Sequence, residues 1–184
     1  MAGPPRIEAR RATLADVAAV ARLSEPANRE ARSDLPALSE GDELSAPELA
    51  LRLLDDLEDG NLLYVAEREL QIIAFAQVTG LMVGDGGHLV ELRRIYVTPD
   101  RRQRGVGRAL LQLVLHDLAQ RPNPPALRAW AAAGSGMGRF LEAAGAAAMR
   151  GRWKVGPGGI AIRGVVYDWA VRQAPAVAGR ALAK

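Results

Sequence analysis

Residues 102–107, Arg-Gln-Arg-Gly-Val-Gly, combine two arginines with two glycines where an apolar strand pattern gives way to a helical one. Gly105 and Gly107 permit backbone conformations and close approaches that a side chain would block. The N–H groups in the first turn of a helix have no partner inside it, and the helix dipole favours an anion there. Six arginines lie between Arg93 and Arg108. This stretch therefore predicts a binding site for a phosphorylated ligand.

The strand that leads into this loop has a slip in its alternation. Val90 and Leu92 share one parity, whereas Ile95 and Val97 share the other. All four side chains can lie on one face only if the strand contains an extra residue, so we expect a β-bulge near residues 93–94. The alternative is that both faces of the strand are buried and the parity carries no information. Bulges are frequent beside active sites.

The composition excludes several classes of function. The chain has 184 residues, 49% of them apolar, but no apolar run long enough for a transmembrane helix. It has no cysteine, which excludes disulfides, thiol catalysis and thiolate metal sites. Its histidines, His88 and His116, are not spaced as a ligand pair, so no metal is expected. The first residues lack a signal-peptide pattern, so we expect a cytoplasmic protein with no membrane partner.

Charge is distributed unevenly along the chain. Nine carboxylates and one arginine, Arg52, lie between Asp34 and Asp59, whereas the later part of the chain is basic. Such polarity would suit an anionic ligand at the basic part and a cationic partner at the acidic part. The simpler interpretation is solvated surface charge. No nucleic-acid partner is expected, because aromatic residues are not interleaved with the arginines.

Periodicity and helix breakers predict the elements that position the loop. The first half of the chain is predicted to contain a strand over 6–11, a helix from Thr13 to Leu23, a loop or broken helix over 25–44 and a helix from Ser45 to Gly60. The second half is predicted to contain antiparallel strands over 62–66, 71–78 and 89–97, a helix after Gly107, a parallel strand over 126–131, a short helix over 139–144 and a closing hairpin of 149–155 with 160–171. We expect one domain over residues 1–173 and a flexible tail over 174–184.

The loop and the order of the elements around it match a known family pattern. Arg102, Gly105 and Gly107 fit the signature Gln/Arg-x-x-Gly-x-Gly/Ala after the fourth strand, and the flanking residues 92–100 and 108–111 also fit. In these features the chain resembles the GNAT superfamily of acetyl-CoA-dependent N-acetyltransferases. The resemblance implies an α/β fold of the mixed α+β kind. Its central, mostly antiparallel sheet would have one parallel pair splayed at the cofactor cleft and helices on both faces.

The resemblance also implies that acetyl-CoA is the acyl-donor cosubstrate. The backbone amides of residues 102–107 would hold its pyrophosphate, and the backbone of Ile95 and Val97 would pair with its pantetheine arm. The implied cofactor-binding residues are Ile95, Tyr96, Val97, Arg102, Gln103, Arg104, Gly105, Val106, Gly107 and Arg108.

The implied reaction is direct attack of a neutral amine on the thioester. An alkylamine is mostly protonated at neutral pH, so a general base is expected. Glu91 lies where some family members carry a catalytic glutamate, and it is the candidate base. The alternative is a structural carboxylate paired with Arg93 or another arginine. Tyr96 is a weaker catalytic candidate, because Tyr96 and Tyr167 lie in strands where a tyrosine is more often a core residue.

Three positions depart from the family pattern. Many members have an Asn at the start of the last helix and, seven residues later, a Tyr that protonates the CoA thiolate; Gly134 and Leu141 stand at these positions. The carboxylate of members that acetylate peptide N-termini aligns with Ala129. The intact loop motif, together with the acidic segment from Asp34 to Asp59 that the family fold would place near the acceptor cleft, implies that the acceptor is a primary amine on a small cationic molecule. Open alternatives are a peptide or protein acceptor and a catalytically silent acyl-CoA-binding module, and homodimer formation is also left open.

Overall fold

The computed structural model describes residues 7–34, 45–84, 87–149, 151–155 and 161–169. These residues form four α-helices and one mixed sheet of eight strands. In chain order the elements are β1 (Glu8–Arg11), α1 (Val17–Asp34), α2 (Ala46–Glu58), β2 (Leu62–Arg68), β3 (Gln71–Gly84), β4 (Gly87–Val97), α3 (Val106–Ala119), β5 (Ala126–Ala132), α4 (Gly136–Ala143), β6 (Ala147–Ala148), β7 (Arg152–Val155) and β8 (Ala161–Trp169). The predicted tail over 174–184 lies outside the described residues.

The sheet has the strand order β1-β2-β3-β4-β5-β8-β6, and β7 pairs with β8. Strands β1 to β4 are antiparallel neighbours, β4 and β5 form the parallel pair, and β8 returns antiparallel to β5. Parallel strands need a crossover connection, which α3 provides. Helices α1 and α2 pack on one face of the sheet, and α3 and α4 pack on the other. The predicted mixed sheet with helices on both faces is therefore confirmed.

The apolar stripe predicted for α3 is buried against the sheet. Leu111, Val114 and Leu118 are at most 1% exposed, and Leu115 is partly buried at the edge of the same cluster. Burying a leucine or valine side chain contributes about 1.5–3 kcal/mol. Helix α3 is thus firmly fixed to the sheet. Because it directly follows residues 102–107, here called the glycine loop, it also holds that loop in place.

Helix α1 extends further than the sequence predicts. It continues through Pro26 to Asp34, where the proline and the polar residues had suggested a loop or broken helix. A proline inside a helix removes one hydrogen bond and costs about 3 kcal/mol. The residues after Pro26 include alanines, arginines and a glutamate, all good helix formers, and no second proline follows before residue 36. The loop prediction was wrong for residues 25–34, while residues 35–44 lie outside the described part.

The other predicted elements differ from the structure at their ends. Strand β3 runs to Gly84 rather than Val78, and α4 begins at Gly136 rather than Arg139. The first strand of the predicted closing hairpin, 149–155, is shortened to β7 at residues 152–155, and the short strand β6 lies before the predicted range. Such shifts are common where the last turn or strand residue has no strong sequence signal.

One carboxylate fixes the start of α1 to the sheet. Asp16 is 8% exposed and accepts hydrogen bonds from both terminal nitrogens of Arg10, at 2.7 and 2.9 Å. It also accepts from the N–H of Thr13 at 2.7 Å. Arg10 in turn donates to Glu67 of β2 at 2.8 Å. The hydrogen bonds from Arg10 are the main reason that the pKa of Asp16 lies well below its usual range.

We predict that Asp16→Asn lowers the free energy of unfolding by about 3 kcal/mol at pH 7, because it leaves Arg10 without its main partner. A carboxyl group whose pKa is depressed in the folded protein stabilises the fold fully above its unfolded pKa of about 3.9. This stabilisation is lost as the pH falls below that value toward the folded pKa. Urea denaturation should therefore show the difference from the wild type shrinking below pH 4. The exposed Asp55→Asn should stay within about 0.5 kcal/mol of the wild type. An Asp16→Asn deficit that is equal at pH 7 and pH 3 would contradict this account.

Candidate active site

The predicted bulge is present in β4, and its extra residue is Arg93. Gln77 of β3 pairs with Arg94, whereas the next residue of β3, Val78, pairs with Leu92. The slip in parity seen in the sequence thus has a structural cause. Because of the extra residue, the apolar side chains before and after the bulge all pack on the α3–α4 face: Val90, Leu92, Ile95 and Val97.

The parallel pairing of β4 with β5 ends just before the bulge. The last paired residues are Leu92 and Ala129, although both strands continue beyond them. The antiparallel pairing of β4 with β3 continues to Val97. Strand β4 therefore keeps one neighbour and separates from the other, which is the predicted splayed pair.

The backbone of β4 beyond the bulge presents hydrogen-bonding groups to the resulting gap. The N–H of Thr98 donates to the carbonyl of Ile73 on β3 at 2.9 Å. Backbone groups alternate in direction along an antiparallel strand, so Ile95 and Val97 direct their N–H and C=O away from β3. In the part of the chain that the structure describes, no strand pairs with these residues on that side. An extended ligand could add to this edge as a strand does.

The glycine loop follows directly and ends at the N-terminus of α3. Its backbone is left-handed at Gln103 (φ 57°) and at Gly105 (φ 81°). Gly105 caps the helix, and its carbonyl accepts from the N–H of Ala109 at 2.9 Å. Gln103 and Arg104 are exposed, whereas Val106 is buried and fixes the first turn of the helix. The first-turn N–H groups thus lie beside the exposed guanidinium of Arg104, an arrangement that suits an anion.

Arg102 joins this loop to β4 and to α1. Its Nε donates to the carbonyl of Val97 at 2.9 Å, and a terminal nitrogen donates to Oε2 of Glu30. Its guanidinium also lies 5.4 Å from the centre of the Tyr96 ring. The Tyr96 hydroxyl donates to the other oxygen of Glu30 at 3.2 Å. Glu30 lies in the part of α1 beyond Pro26, so no feature of the sequence had indicated its contribution.

Tyr96 is packed as a core residue. It is 8% exposed, and its ring centre lies 6.1 Å from that of Phe75. Burial raises the pKa of its hydroxyl, and the negative charge of Glu30 raises it further. These contacts favour a positioning role for Tyr96, and its role in catalysis stays a prediction.

The arginines around the loop are divided between the two faces of the sheet. Arg108 donates to the carbonyl of Ala143 at 3.0 Å and so joins α3 to the end of α4. Arg93 and Arg94 instead line a cavity beneath α1 and α2. The expectation that all six arginines add charge around the loop therefore does not hold for these two.

Glu91, the candidate base, is half-buried and directly precedes Leu92. Its neighbour in the parallel pair is Arg128, whose Nε and terminal nitrogen donate to Asp168 at 2.7 and 2.8 Å. Asp168 is the main reason that the pKa of Arg128 is raised, and the charge of Glu91 makes a smaller contribution. Arg128 thus has another carboxylate as its principal partner. The role of Glu91, as a general base or as a structural carboxylate paired with Arg93 or another arginine, stays a prediction.

The family positions that depart from the pattern lie in the core or in a turn. Leu141 and Ala129 are fully buried, and Gly134 has a φ of 77° in the turn before α4. Tyr167 of β8 reaches α4, where its hydroxyl donates to Glu142 at 3.0 Å. Burial, followed by Glu142, raises the pKa of this hydroxyl.

Two further observations concern other classes of site. Among the described residues, no group of three or more His, Asp or Glu side chains is arranged to hold a metal ion. Within the same part of the chain, no helix has the length and apolar character needed to cross a bilayer.

Comparison with solved structures shows the same fold in known enzymes. A ribosomal-protein-alanine N-acetyltransferase from Brucella melitensis has a TM-score of 0.70 and 24% identity, with 88% of this chain and 98% of that chain covered. An N-acetyltransferase from Staphylococcus aureus has a TM-score of 0.71 and 16% identity, covering 91% and 99%. A phosphinothricin acetyltransferase from Sinorhizobium meliloti, in complex with AcCoA, has a TM-score of 0.68 and 21% identity, covering 92% and 91%.

A search among curated proteins finds no match. The model of the acetyltransferase (GNAT) family, in contrast, matches residues 27–146, which is more than half of the chain. The matched range includes the bulged strand, the glycine loop and α3. The splayed strand pair, the glycine loop at a helix N-terminus and this match lead to one conclusion: the chain belongs to the GNAT family of acetyltransferases.

Proposed function

We propose that this protein transfers an acetyl group from acetyl-CoA to a primary amine of a small molecule. The observation that carries the proposal is the edge of β4 at Ile95 and Val97, which has no strand partner on the side of the gap among the described residues and runs directly into the glycine loop. An edge that can pair with an extended arm, followed by amides that can bind a phosphate, suits a ligand with both parts. The acetyl-CoA complex of the phosphinothricin acetyltransferase, which has the same fold, supports this choice.

Each part of the chain has a distinct task in this proposal. The amides around Gly105 and the first turn of α3 hold the pyrophosphate, and Arg102 keeps the loop attached to Val97. The backbone of Ile95 and Val97 orients the pantetheine arm. When bound, acetyl-CoA supplies the reactive thioester at the splayed end of the sheet. A backbone N–H there can polarise the thioester carbonyl, and such a donor is often worth about 3 kcal/mol.

Glu91 is proposed to remove the proton that the acceptor amine must lose. It precedes the bulge and lies on the face of the sheet opposite to Val90 and Leu92, so it faces the side of α1 and α2. No side chain is proposed to protonate the departing thiolate, because Leu141 stands at the usual tyrosine position and the hydroxyl of Tyr167 is directed to Glu142. A thiolate with a pKa near that of cysteine, about 8.5, can take its proton from water.

The absence of the usual tyrosine favours one alternative, a catalytically silent acyl-CoA-binding module. A panel of amines incubated with the purified protein and acetyl-CoA, with release of free thiol followed over time, distinguishes the two functions. Thiol release that depends on an amine supports the acetyltransferase. CoA binding by calorimetry without transfer to any amine supports the module. A peptide acceptor is the second alternative, and N-terminal peptides belong in the same panel.

We predict that Glu91→Gln lowers kcat by about 100-fold or more, because general base catalysis typically contributes 10²–10⁴-fold. The dissociation constant of acetyl-CoA should stay unchanged, since the loop and the edge of β4 are untouched. The matched control is Glu69→Gln, an exposed glutamate in the turn between β2 and β3. Unchanged turnover in Glu91→Gln would remove Glu91 as the base without affecting the rest of the proposal.

The two glycines of the loop provide a second prediction. Gly105 has a φ of 81°, so an alanine there is strained by about 1–2 kcal/mol. A Cβ at Gly107 would meet only Phe140 and Val97, at 3.4–3.5 Å, which is ordinary contact. Gly105→Ala should therefore weaken acetyl-CoA binding by about tenfold in calorimetry, whereas Gly107→Ala should bind like the wild type. The reverse order would show that close approach of the ligand to residue 107 governs affinity.

A further inference from the structure

On the α1–α2 face of the sheet, a small cavity lies beside the bulge. It encloses about 30 Å³, which is room for one or two water-sized groups. Its polar lining consists of Ser24 from α1, Arg52 and Asp56 from α2, Gln77 from β3, and Arg93 and Arg94 from the bulge. Three guanidinium groups and one carboxylate thus surround a space that can hold a single small polar group.

The carboxylate in this lining forms its hydrogen bonds with amide side chains and not with the arginines. Asp56 accepts hydrogen bonds from the amide of Gln77, at 2.7 Å, and from the amide of Asn61, at 3.3 Å. The Ser24 hydroxyl is likewise engaged, because it donates to the carbonyl of Val20 at 2.9 Å. Amides satisfy the acidic group without adding positive charge, so the cavity keeps a net positive charge.

Arg94 is the most buried of the three arginines that line this cavity. Burial lowers its pKa, and the neighbouring charges of Arg93 and Arg52 lower it further, with only Asp56 acting in the opposite direction. No side chain in the described ranges accepts a hydrogen bond from Arg94. A half-buried guanidinium without a hydrogen-bonded carboxylate is costly, and a charged group of this kind in a cleft is a candidate for binding a ligand.

The position of the cavity relates it to the reaction. Arg93 is the bulge residue itself, and Glu91 precedes it on the same strand. Strand spacing of about 3.3 Å per residue places Arg94 roughly 7–10 Å along the strand from Glu91. An acceptor whose amine lies at Glu91 can therefore reach the cavity with its other end.

We propose that the acceptor carries an oxyanion, a carboxylate or a phosphonate, about four to six bonds from its amine, and that Arg94 with Arg93 and Arg52 binds it. The inference rests on the proposed acetyl transfer for the placement of the amine, but anion binding at the cavity is independent of it. A planar guanidinium pairs with carboxylate and phosphoryl oxygens through two hydrogen bonds, which suits both sources of the oxyanion. The proposal differs from the sequence-based expectation of a cationic acceptor, which relied on the acidic segment rather than on the residues lining this cavity.

The first test compares matched acceptors in the full-length enzyme. 4-Aminobutanoate and 3-aminopropylphosphonate are each assayed for kcat/KM, with 4-aminobutanamide as the neutral counterpart. The better of the two anionic acceptors should exceed the amide by about tenfold or more, because a charged hydrogen bond is lost with the amide. The anionic acceptor with the higher kcat/KM shows whether the oxyanion is a carboxylate or a phosphonate. Arg94→Gln should abolish the preference by raising KM for the anionic acceptor.

Two variants keep the test interpretable. Arg22 is exposed on α1, on the opposite side of the helix from Ser24, so Arg22→Gln should retain the preference. Arg94→Gln removes a poorly solvated charge and should melt at the same temperature as the wild type or higher. If it does not fold, the exposed Arg93→Gln provides the same comparison.

The second test measures anion binding without catalysis. With saturating CoA occupying the glycine loop, inorganic phosphate should raise the melting temperature of the wild type but not of Arg94→Gln. Transfer to the amide as fast as to both acids, or a preference unchanged in Arg94→Gln, would overturn the inference while leaving acetyl transfer intact. If no amine is acetylated but phosphate protection depends on Arg94, acetyl transfer fails and the anion site stands. If neither is seen, both proposals are wrong.

Discussion

Hydrogen bonding between β4 and β5 stops at Leu92 and Ala129, and the rest of the site depends on that end point. The extra residue at position 93 turns the backbone there while β3 continues to hold β4 on its other side. Main-chain groups that a regular sheet would satisfy internally are thereby presented to a gap. The gap leads into the glycine loop, and α3, buried along its apolar stripe, keeps the loop at a fixed distance from the sheet.

The bulge also relates the two faces of the sheet. On the α3–α4 face it lets Leu92 and Ile95 both enter the core, although they lie three residues apart in sequence. On the other face it brings Arg93 and Arg94 together beneath α1 and α2, where their charges oppose each other. The same irregularity therefore favours packing on one side and creates an electrostatic cost on the other. Unfavourable local arrangements of this kind are commonly found at functional sites, including ligand-binding sites.

Local patterns predicted the parts of the site that are contiguous in sequence. The parity of four apolar residues located the bulge, and the glycines of residues 105 and 107 located the loop. The extension of α1 was missed because a proline usually ends a helix, and only the packing of the whole helix could offset its cost. The cavity around Arg94 was missed because Ser24, Asp56 and Gln77 come from separate elements. Charge counting alone had assigned the arginines of the bulge to the phosphate loop.

The contact between Glu30 and Arg102 has a consequence for the order in which the chain folds. The two residues are 72 positions apart, and both side chains are more than 40% exposed, so their pairing closes a long loop for a small gain. The part of α1 before Pro26 is held by Asp16 and by buried apolar residues, whereas the part after it is held by the partly buried Ala27 and by the long-range contacts of Glu30. We expect the amides of residues 27–34 to gain protection from hydrogen exchange after those of residues 17–24, and to lose it first. The earliest helix in the sequence would then be completed only after the cofactor loop has formed.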